Sequence, residues 1–128
     1  MSYKSTSSIP QDRIRSARGL FFDNTHAEAV NLWTPANGKR VFVNDVMLAV
    51  INKATNTYIG VGVQVLIGGN WELLLPVAVG PLAAATIVHD FGQRVQTQFA
   101  NGGAVMRVIK FGNSSSWEAR INVTGEEG

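Results

Sequence analysis

The chain has 128 residues and a formal net charge of +2, and its length suits one domain with its own core. Cysteine is absent, which excludes disulfides, thiolate catalysis and cysteine-based zinc or iron–sulfur sites. Only 16% of the residues are charged, below the roughly 25% of typical soluble domains. This predicts either a surface partly covered by other chains or an exterior rich in Ser, Thr and Asn.

The first residues of the chain are basic and rich in serine, and we expect an irregular N-terminal arm over residues 1–17, followed by a single domain over residues 18–128. Residues 1–18 carry a balance of +3, so the remainder of the chain sums to −1. A basic tail on a near-neutral body is typical of an interaction segment. Docking of the arm on an acidic neighbouring subunit and a leader without a role both stay open. The charges form too small a patch, with too few aromatic residues, to predict nucleic-acid binding.

Short alternating apolar runs separated by turn residues predict eight to ten β-strands along the domain. The predicted strands cover residues 18–22, 28–33, 40–51, 58–67, 70–75, 86–91, 93–99, 104–111 and 117–123. Pro76 to Ala85 is the least strand-like segment and is predicted as a loop or a short helical turn after Pro81. Strands at this spacing predict an all-β fold, an antiparallel β-sandwich of the jelly-roll type.

The clearest strand begins near Tyr58 and alternates without a break to Ile67. Its odd-numbered residues are branched and apolar, whereas Gly60, Gly62 and Gln64 occupy the other face. Glycines inside a strand indicate a bulge or the close approach of another backbone. Four later residues alternate in phase and are predicted to pack in the core or at its rim: Trp71, Leu73, Trp117 and Ile121.

No arrangement of residues predicts catalysis, a cofactor or a metal site. His26 and His89 each have one nearby carboxylate in sequence, whereas a catalytic zinc needs three protein ligands. The serines at 114–116 follow a Gly-Asn turn and lack the Gly-x-Ser-x-Gly elbow of a hydrolase nucleophile. Longer apolar runs are interrupted by proline and glycine, so no membrane-spanning helix is predicted. We therefore predict a protein that is not an enzyme.

Trp33 suggests an alternative function that belongs to a different class of protein. It precedes the loop Thr34-Pro35, which makes it the tryptophan most expected to be exposed. An exposed aromatic ring offers a large contact area for a sugar. A carbohydrate-binding module of a fibre or adhesin is therefore the alternative function.

Three segments resemble the small jelly-roll-like proteins that tailed bacteriophages use in their virions. They are Val-Asn-Leu-Trp-Thr-Pro-Ala-Asn-Gly-Lys at 30–39, Val-His-Asp-Phe-Gly at 88–92 and Ile-Asn-Val-Thr-Gly-Glu-Glu at 121–127. The resemblance implies a virion structural role, such as a capsid decoration (cement) protein or a head-to-tail or fibre component, often trimeric. It carries no catalytic residues, and the basic arm is not part of it.

Together these observations predict a non-enzymatic decoration protein on the exterior of a phage capsid, acting through binding energy alone. Its expected partners are the major capsid protein or other virion proteins, and further copies of itself in a homo-oligomer, with a trimer favoured. The arm would reach the capsid, and apolar residues near Pro76 would meet sister subunits. The predicted contact residues are Lys4, Arg13, Arg15, Arg18, Trp33, Pro76, Val77, Val79 and Leu82.

Overall fold

A computed structural model describes residues 14–81, 86–90 and 95–128. Every regular element within these ranges is a β-strand, and none of the described segments is a helix that could cross a membrane. The strands are β1 (Ile14–Asp23), β2 (Ala29–Trp33), β3 (Val41–Asn52), β4 (Ile59–Ile67), β5 (Asn70–Val79), β6 (Thr86–Asp90), β7 (Val95–Gln96), β8 (Met106–Gly112) and β9 (Trp117–Glu127).

The strands form two antiparallel sheets that pack face to face. One sheet has the order β1-β9-β3-β6, with β7 also paired to β3, and the other has the order β2-β8-β4-β5. The pairing is nested, because the first strand pairs with the last, β2 with β8, β3 with β6, and β4 with β5. This nested winding of two sheets is that of a jelly roll, so the predicted fold class is confirmed.

The core lies between the sheets and is built by period-two alternation. On β3, Val46, Leu48 and Val50 are fully buried, and Val61 and Val63 of β4 are fully buried in the same core cluster. Each such side chain contributes roughly 1.5–3 kcal/mol when it is removed from water. The predicted burial of the odd-numbered residues of β4 up to position 65, and of Trp117 and Ile121, is confirmed.

The first strand begins earlier than predicted. It starts at Ile14 and pairs with β9 in unbroken register as far as Asp23. Residues 14–17, which the sequence assigned to the arm, are therefore strand residues, and Arg15 and Arg18 both lie in β1. Lys4 and Arg13 fall outside the described residues, as does most of the predicted arm.

The prediction of a loop or helical turn from Pro76 is wrong, because β5 runs through Pro76 to Val79. β5 is the last strand of its sheet, where proline is tolerated because one side of the strand needs no ladder donors. Val77 and Val79 point into the core and are 5% and 2% exposed, so they are not surface contact residues. Leu82 lies outside the described residues.

A β-bulge overturns the predicted phase of Trp71 and Leu73. The register shifts between Val63 and Gln64, which face Leu75 and Leu73, so Leu74 is the extra residue of β5. Because an added residue reverses the alternation, Leu73 is 48% exposed and Trp71 is only partly buried. The strand predicted over residues 93–99 is shorter in the structure, because β7 ends at Gln96 and Phe99 lies beyond it with 54% of its surface exposed.

Asn52 ties four segments together at one end of the sandwich. Its side chain is buried, and its Nδ2 donates to the carbonyl oxygens of Thr57, Val79 and Gly80 at 2.8, 3.3 and 3.2 Å. Its Oδ1 accepts from the Ser114 hydroxyl at 2.9 Å and from the Ala54 amide at 3.0 Å. One amide side chain therefore fixes the end of β5 and the loops that follow β3 and β8.

Asn52→Ala should lower the free energy of unfolding by about 3 kcal/mol, because it leaves several buried polar groups without partners. Asn31→Ala is the matched control, since Asn31 is exposed on β2, and should change stability by less than about 0.5 kcal/mol. Urea denaturation of the two variants and the parent chain measures both effects. Equal stability of the two variants would contradict this role of Asn52.

Candidate functional site

The structure brings two of the predicted contact residues, Arg18 and Trp33, into one cluster with Glu127. Trp33 is only 1% exposed, and its Nε1 donates to Glu127 Oε1 at 3.0 Å. The Arg18 guanidinium lies over the indole ring, 4.4 Å from its centroid, and 3.9 Å from the same carboxylate. The predicted exposure of Trp33 is therefore wrong, because a carboxylate 94 residues away in sequence satisfies its polar edge.

Trp33→Ala should lower the free energy of unfolding by about 4 kcal/mol, as expected for removal of a buried tryptophan. An exposed sugar platform would instead tolerate this change without loss of stability. Ile87→Ala, at a side chain that is 68% exposed, is the control and should cost less than about 0.5 kcal/mol. Thermal unfolding followed by circular dichroism distinguishes a buried, stabilising Trp33 from an exposed one.

Arg15 lies at a more exposed position on the same strand. Its side chain is 83% exposed, and its nearest carboxylate oxygen, on Glu126, is 4.0 Å away. Such an exposed pair contributes little stability. Arg15 also lines an open cleft of about 490 Å³, whose other residues are Ser16, Ala17, Asn44, Asp45 and Thr124. This places a solvated cation beside an open cleft at the β3 bulge, where the register between β3 and β9 shifts between Val43 and Asp45.

The outward side of the second sheet is apolar around its central strand. We call this surface the β4 outer face. Gly60 faces Ala78 and Phe111 on its neighbouring strands, and Gly62 faces Pro76 and Ile109. Directly opposite residues of neighbouring strands share a face. The surface comprises Tyr58, Gly60, Gly62, Leu73, Pro76, Ala78, Ile109 and Phe111.

The two glycines of this face let neighbouring side chains lie flat across the sheet. A Cβ at Gly60 would come within 2.0 Å of the Phe111 ring, and one at Gly62 within 2.6 Å of Leu73. The close approach predicted at these glycines is therefore made by side chains and not by another backbone. Tyr58 and Leu73 remain 46% and 48% exposed, which leaves a flattened apolar surface on the outside of the sandwich.

A fixed cation stands at one end of the β4 outer face. The Arg107 guanidinium lies 4.2 Å from the centroid of the Trp71 ring, and its Nε donates to Gln64 Oε1 at 2.7 Å. The stacking and the hydrogen bond hold the guanidinium flat against the sheet. Trp71, predicted as a core or rim residue, thus serves to orient a charge on the surface.

The residues of the β4 outer face were mostly absent from the predicted contact set, with Pro76 as the exception. The signal that could have found them is the alternation of glycine at 60 and 62 in the strongest strand. Glycine on the outward side of a central strand leaves a groove, which apolar side chains of the neighbouring strands fill. The register that identifies those neighbours is not visible in the sequence.

Asp23, at the end of β1, is held as a carboxylate by its loop. The Thr25 hydroxyl and amide donate to its Oδ1 at 2.6 and 2.9 Å, and His26 Nδ1 lies 3.0 Å away. The two hydrogen bonds from Thr25 lower the pKa of Asp23 below its ordinary value of 3.8. Within the described ranges, no group of three or more His, Asp or Glu side chains is placed to hold a metal ion.

Because its folded-state pKa is lowered, Asp23 stabilises the fold above its ordinary pKa, and this contribution is lost as the pH falls through the lowered value. Thr25→Val removes the hydroxyl donor and should raise the pKa of Asp23 toward 3.8. Thr124→Val, on a different strand, should leave the Asp23 titration unchanged. Carboxyl-carbon NMR titration measures both, and an unaltered Asp23 pKa in T25V would contradict the assignment.

Comparison with known proteins finds similarity only among solved structures. The chain matches no protein-family model and no curated protein. A chain of the cowpea mosaic virus top component, a naturally occurring empty particle, aligns with a TM-score of 0.44 and 7% identity, over 87% of this chain and 74% of that chain. A chain of the cyanophage Pam1 capsid asymmetric unit aligns with a TM-score of 0.44 and 16% identity, over 98% and 93%.

A third similar structure is the C-terminal family 22 carbohydrate-binding module of Clostridium thermocellum Xyn10B. It has a TM-score of 0.34 and 11% identity, and the alignment covers 92% of this chain and 86% of that one. Viral and carbohydrate-binding proteins thus align at similarly low identity. These similarities carry no argument about function, which has to come from the surface of this chain.

Proposed function

We propose that this chain is a non-enzymatic structural subunit of a phage virion, which decorates the capsid and binds its shell protein through the β4 outer face. The observation that carries the proposal is the flattened apolar surface outside a complete jelly-roll core. Exposed contiguous apolar surface on a soluble domain marks a protein-interaction site. The three segments that resemble virion proteins of tailed phages direct the proposal toward a capsid.

The charge of the chain supports a partner that covers much of its surface. Only 16% of the residues are charged, and the β4 outer face holds Leu73 and Tyr58 about half exposed. A partner that removes these side chains from water gains hydrophobic free energy. The fixed guanidinium of Arg107 at the end of the face adds a polar contact that selects orientation.

The predicted basic arm provides a second contact with the capsid in this proposal. Residues 1–13 precede β1 and include Lys4 and Arg13. Arg15, the second residue of β1, presents its cation to solvent close to the end of this segment. We propose that these cations reach acidic groups on the shell, where many weak contacts on one particle add up through multivalency. Exterior placement and a trimer belong to the same proposal.

The carbohydrate-binding alternative loses its main support in the structure. It rested on Trp33, whose ring is buried beneath Arg18 and bonded to Glu127. The exposed aromatic residue of the apolar surface is Tyr58, which lies beside Gly112 at one end of it. Glycan binding that depended on Tyr58 would overturn the proposed function.

Leu73→Glu should weaken binding to empty shells, built from the major capsid protein encoded with this chain, by about tenfold or more. The reason is that a charge would be buried against an apolar partner. Co-sedimentation of purified chain with shells measures the effect. Ile87→Glu places the same charge at a 68% exposed position on the other sheet and should leave binding unchanged.

Deletion of residues 1–13 separates the arm from the face in the same assay. It leaves β1 intact from Ile14 and should weaken shell binding while circular dichroism stays unchanged. If L73E and I87E saturate shells as well as the parent chain does, the β4 outer face is not the docking surface. If the parent chain binds no shell at all, the virion role itself is wrong.

A further inference from the structure

β1 is an end strand whose outer edge has no partner among the described residues. It is ten residues long and pairs with β9 alone, in unbroken register. An edge strand of this kind presents backbone N–H and C=O groups that can pair with another strand.

The hydrogen bonds at Asp23 settle the orientation of the edge. The Asp23 amide donates to His26 Nδ1 at 3.2 Å, and the His26 amide donates to the Asp23 carbonyl at 3.1 Å, so both backbone groups of Asp23 point away from β9. In an antiparallel pair this orientation recurs at every second residue. Arg15, Ala17, Gly19 and Phe21 therefore also present their backbone groups at the outer edge.

A second hydrogen bond agrees with this orientation. The Arg18 Nη1 donates to the carbonyl oxygen of Ala17 at 3.0 Å and to the Ser16 hydroxyl at 2.6 Å. The Ala17 carbonyl is thus directed away from β9. Since a carbonyl oxygen accepts two hydrogen bonds, it can still take a donor from another strand.

The outward side chains of this edge are complementary to themselves. When a second β1 is placed antiparallel with the two Gly19 residues opposite each other, Ala17 lies opposite Phe21 of the second copy. In the same register, Arg15 lies opposite Asp23 of the second copy. The small Ala17 faces the large Phe21 and the cation of Arg15 faces the anion of Asp23, and directly opposite pairs of these types stabilise a sheet.

Only this register makes the charges meet. Centring the pair on Arg18 places Arg15 opposite Phe21 of the second copy, and centring it on Leu20 places Ala17 opposite Asp23. Both alternatives separate the cation from the anion. The sequence of β1 thus specifies one antiparallel alignment with itself, and a two-fold interface requires this self-complementarity.

We propose that two copies of this chain pair through their β1 edges, antiparallel and centred on Gly19, so that the β1-β9-β3-β6 sheet continues across a two-fold axis. About six backbone hydrogen bonds form, from Ala17, Gly19 and Phe21 of each copy. The contact lies on a different sheet from the β4 outer face and does not rest on the proposed function. It links subunits in pairs and is compatible with a trimer that forms through another surface.

Engineered cysteines test both the contact and its register, because the natural chain has no cysteine. Opposite residues in a hydrogen-bonded pair have Cα atoms about 5.5 Å apart, which suits a disulfide. Mixing Ala17→Cys with Phe21→Cys should therefore produce a disulfide-linked heterodimer. Each variant alone should cross-link at least about tenfold less, because the two copies of one position lie roughly 13 Å apart along the strands.

Proline at the edge tests the contact without cross-linking. Ala17→Pro removes an outward donor and should raise the dissociation constant of the dimer by about a hundredfold, measured by sedimentation velocity on the full chain. Ala29→Pro is the matched control. The Glu28 carbonyl accepts from Lys110 of β8, so the amide of Ala29 faces the free edge of β2. This variant should dimerise like the parent chain.

Three results would overturn the proposal. One is a mass of 13.8 kDa for the parent chain at every concentration. Another is equal cross-linking of the single cysteine variants and their mixture. The third is dimerisation only after residues 1–13 are deleted, which would mean that the edge is covered by the chain's own N-terminal residues. None of these measurements involves shells, so a failed capsid assay and a failed dimer are distinguishable.

Discussion

The fold depends on the insertion of the last strand, β9, between β1 and β3. Trp117, Ala119, Ile121 and Val123 of this strand are buried, so the sheet that contains β9 lacks a central strand of its core until residues 117–127 have been made. The fit is close at Gly125, where an added Cβ would lie 2.5 Å from the Phe42 carbonyl oxygen. A side chain there would force β3 and β9 apart at the β3 bulge. β1 and β9 pair residues that are about a hundred positions apart in sequence. Because the entropy of closing such a long loop is lost before these contacts form, folding is expected to be slow.

The same strand explains why the two outer surfaces of the sandwich differ. Alternate residues of β9 face outward as Arg120, Asn122 and Thr124, so this central strand of the first sheet is polar on its outside. The centre of the second sheet is β4, whose outward residues include Gly60 and Gly62, and apolar neighbours close over them. One sheet thus offers an apolar face around its central strand, while the other offers a polar central strand and an open strand edge. A subunit built in this way can use the face for one partner and the edge for another without competition between them.

Alternation in the sequence was enough to predict the strands and most of the core, because each strand has one face between the sheets. Alternation could not predict the features that depend on which strands and residues lie next to each other. The extra residue Leu74 reverses the phase of Leu73 and Trp71, and a bulge is defined by the partner strand as much as by its own sequence. Pro76 looked like the end of a strand, and only its place at the edge of a sheet makes it acceptable. Trp33 looked exposed because the carboxylate that satisfies its indole lies near the other end of the chain.

The end strands of the two sheets are protected to different degrees, and this difference bears on how the subunit associates. β5 carries Pro76 and a bulge, β2 is five residues long and has a register shift, and β6 is also only five residues long. These features are the usual devices that prevent strands from pairing with other molecules. Among the described strands, β1 is the long edge that lacks them, with ten residues, no proline and no bulge. Its charges do not block the edge either, because Arg15 and Asp23 attract each other in one antiparallel alignment. An edge that is left open yet charged in a self-complementary order is selective for its own copy, since a strand without that order would leave the charges unpaired.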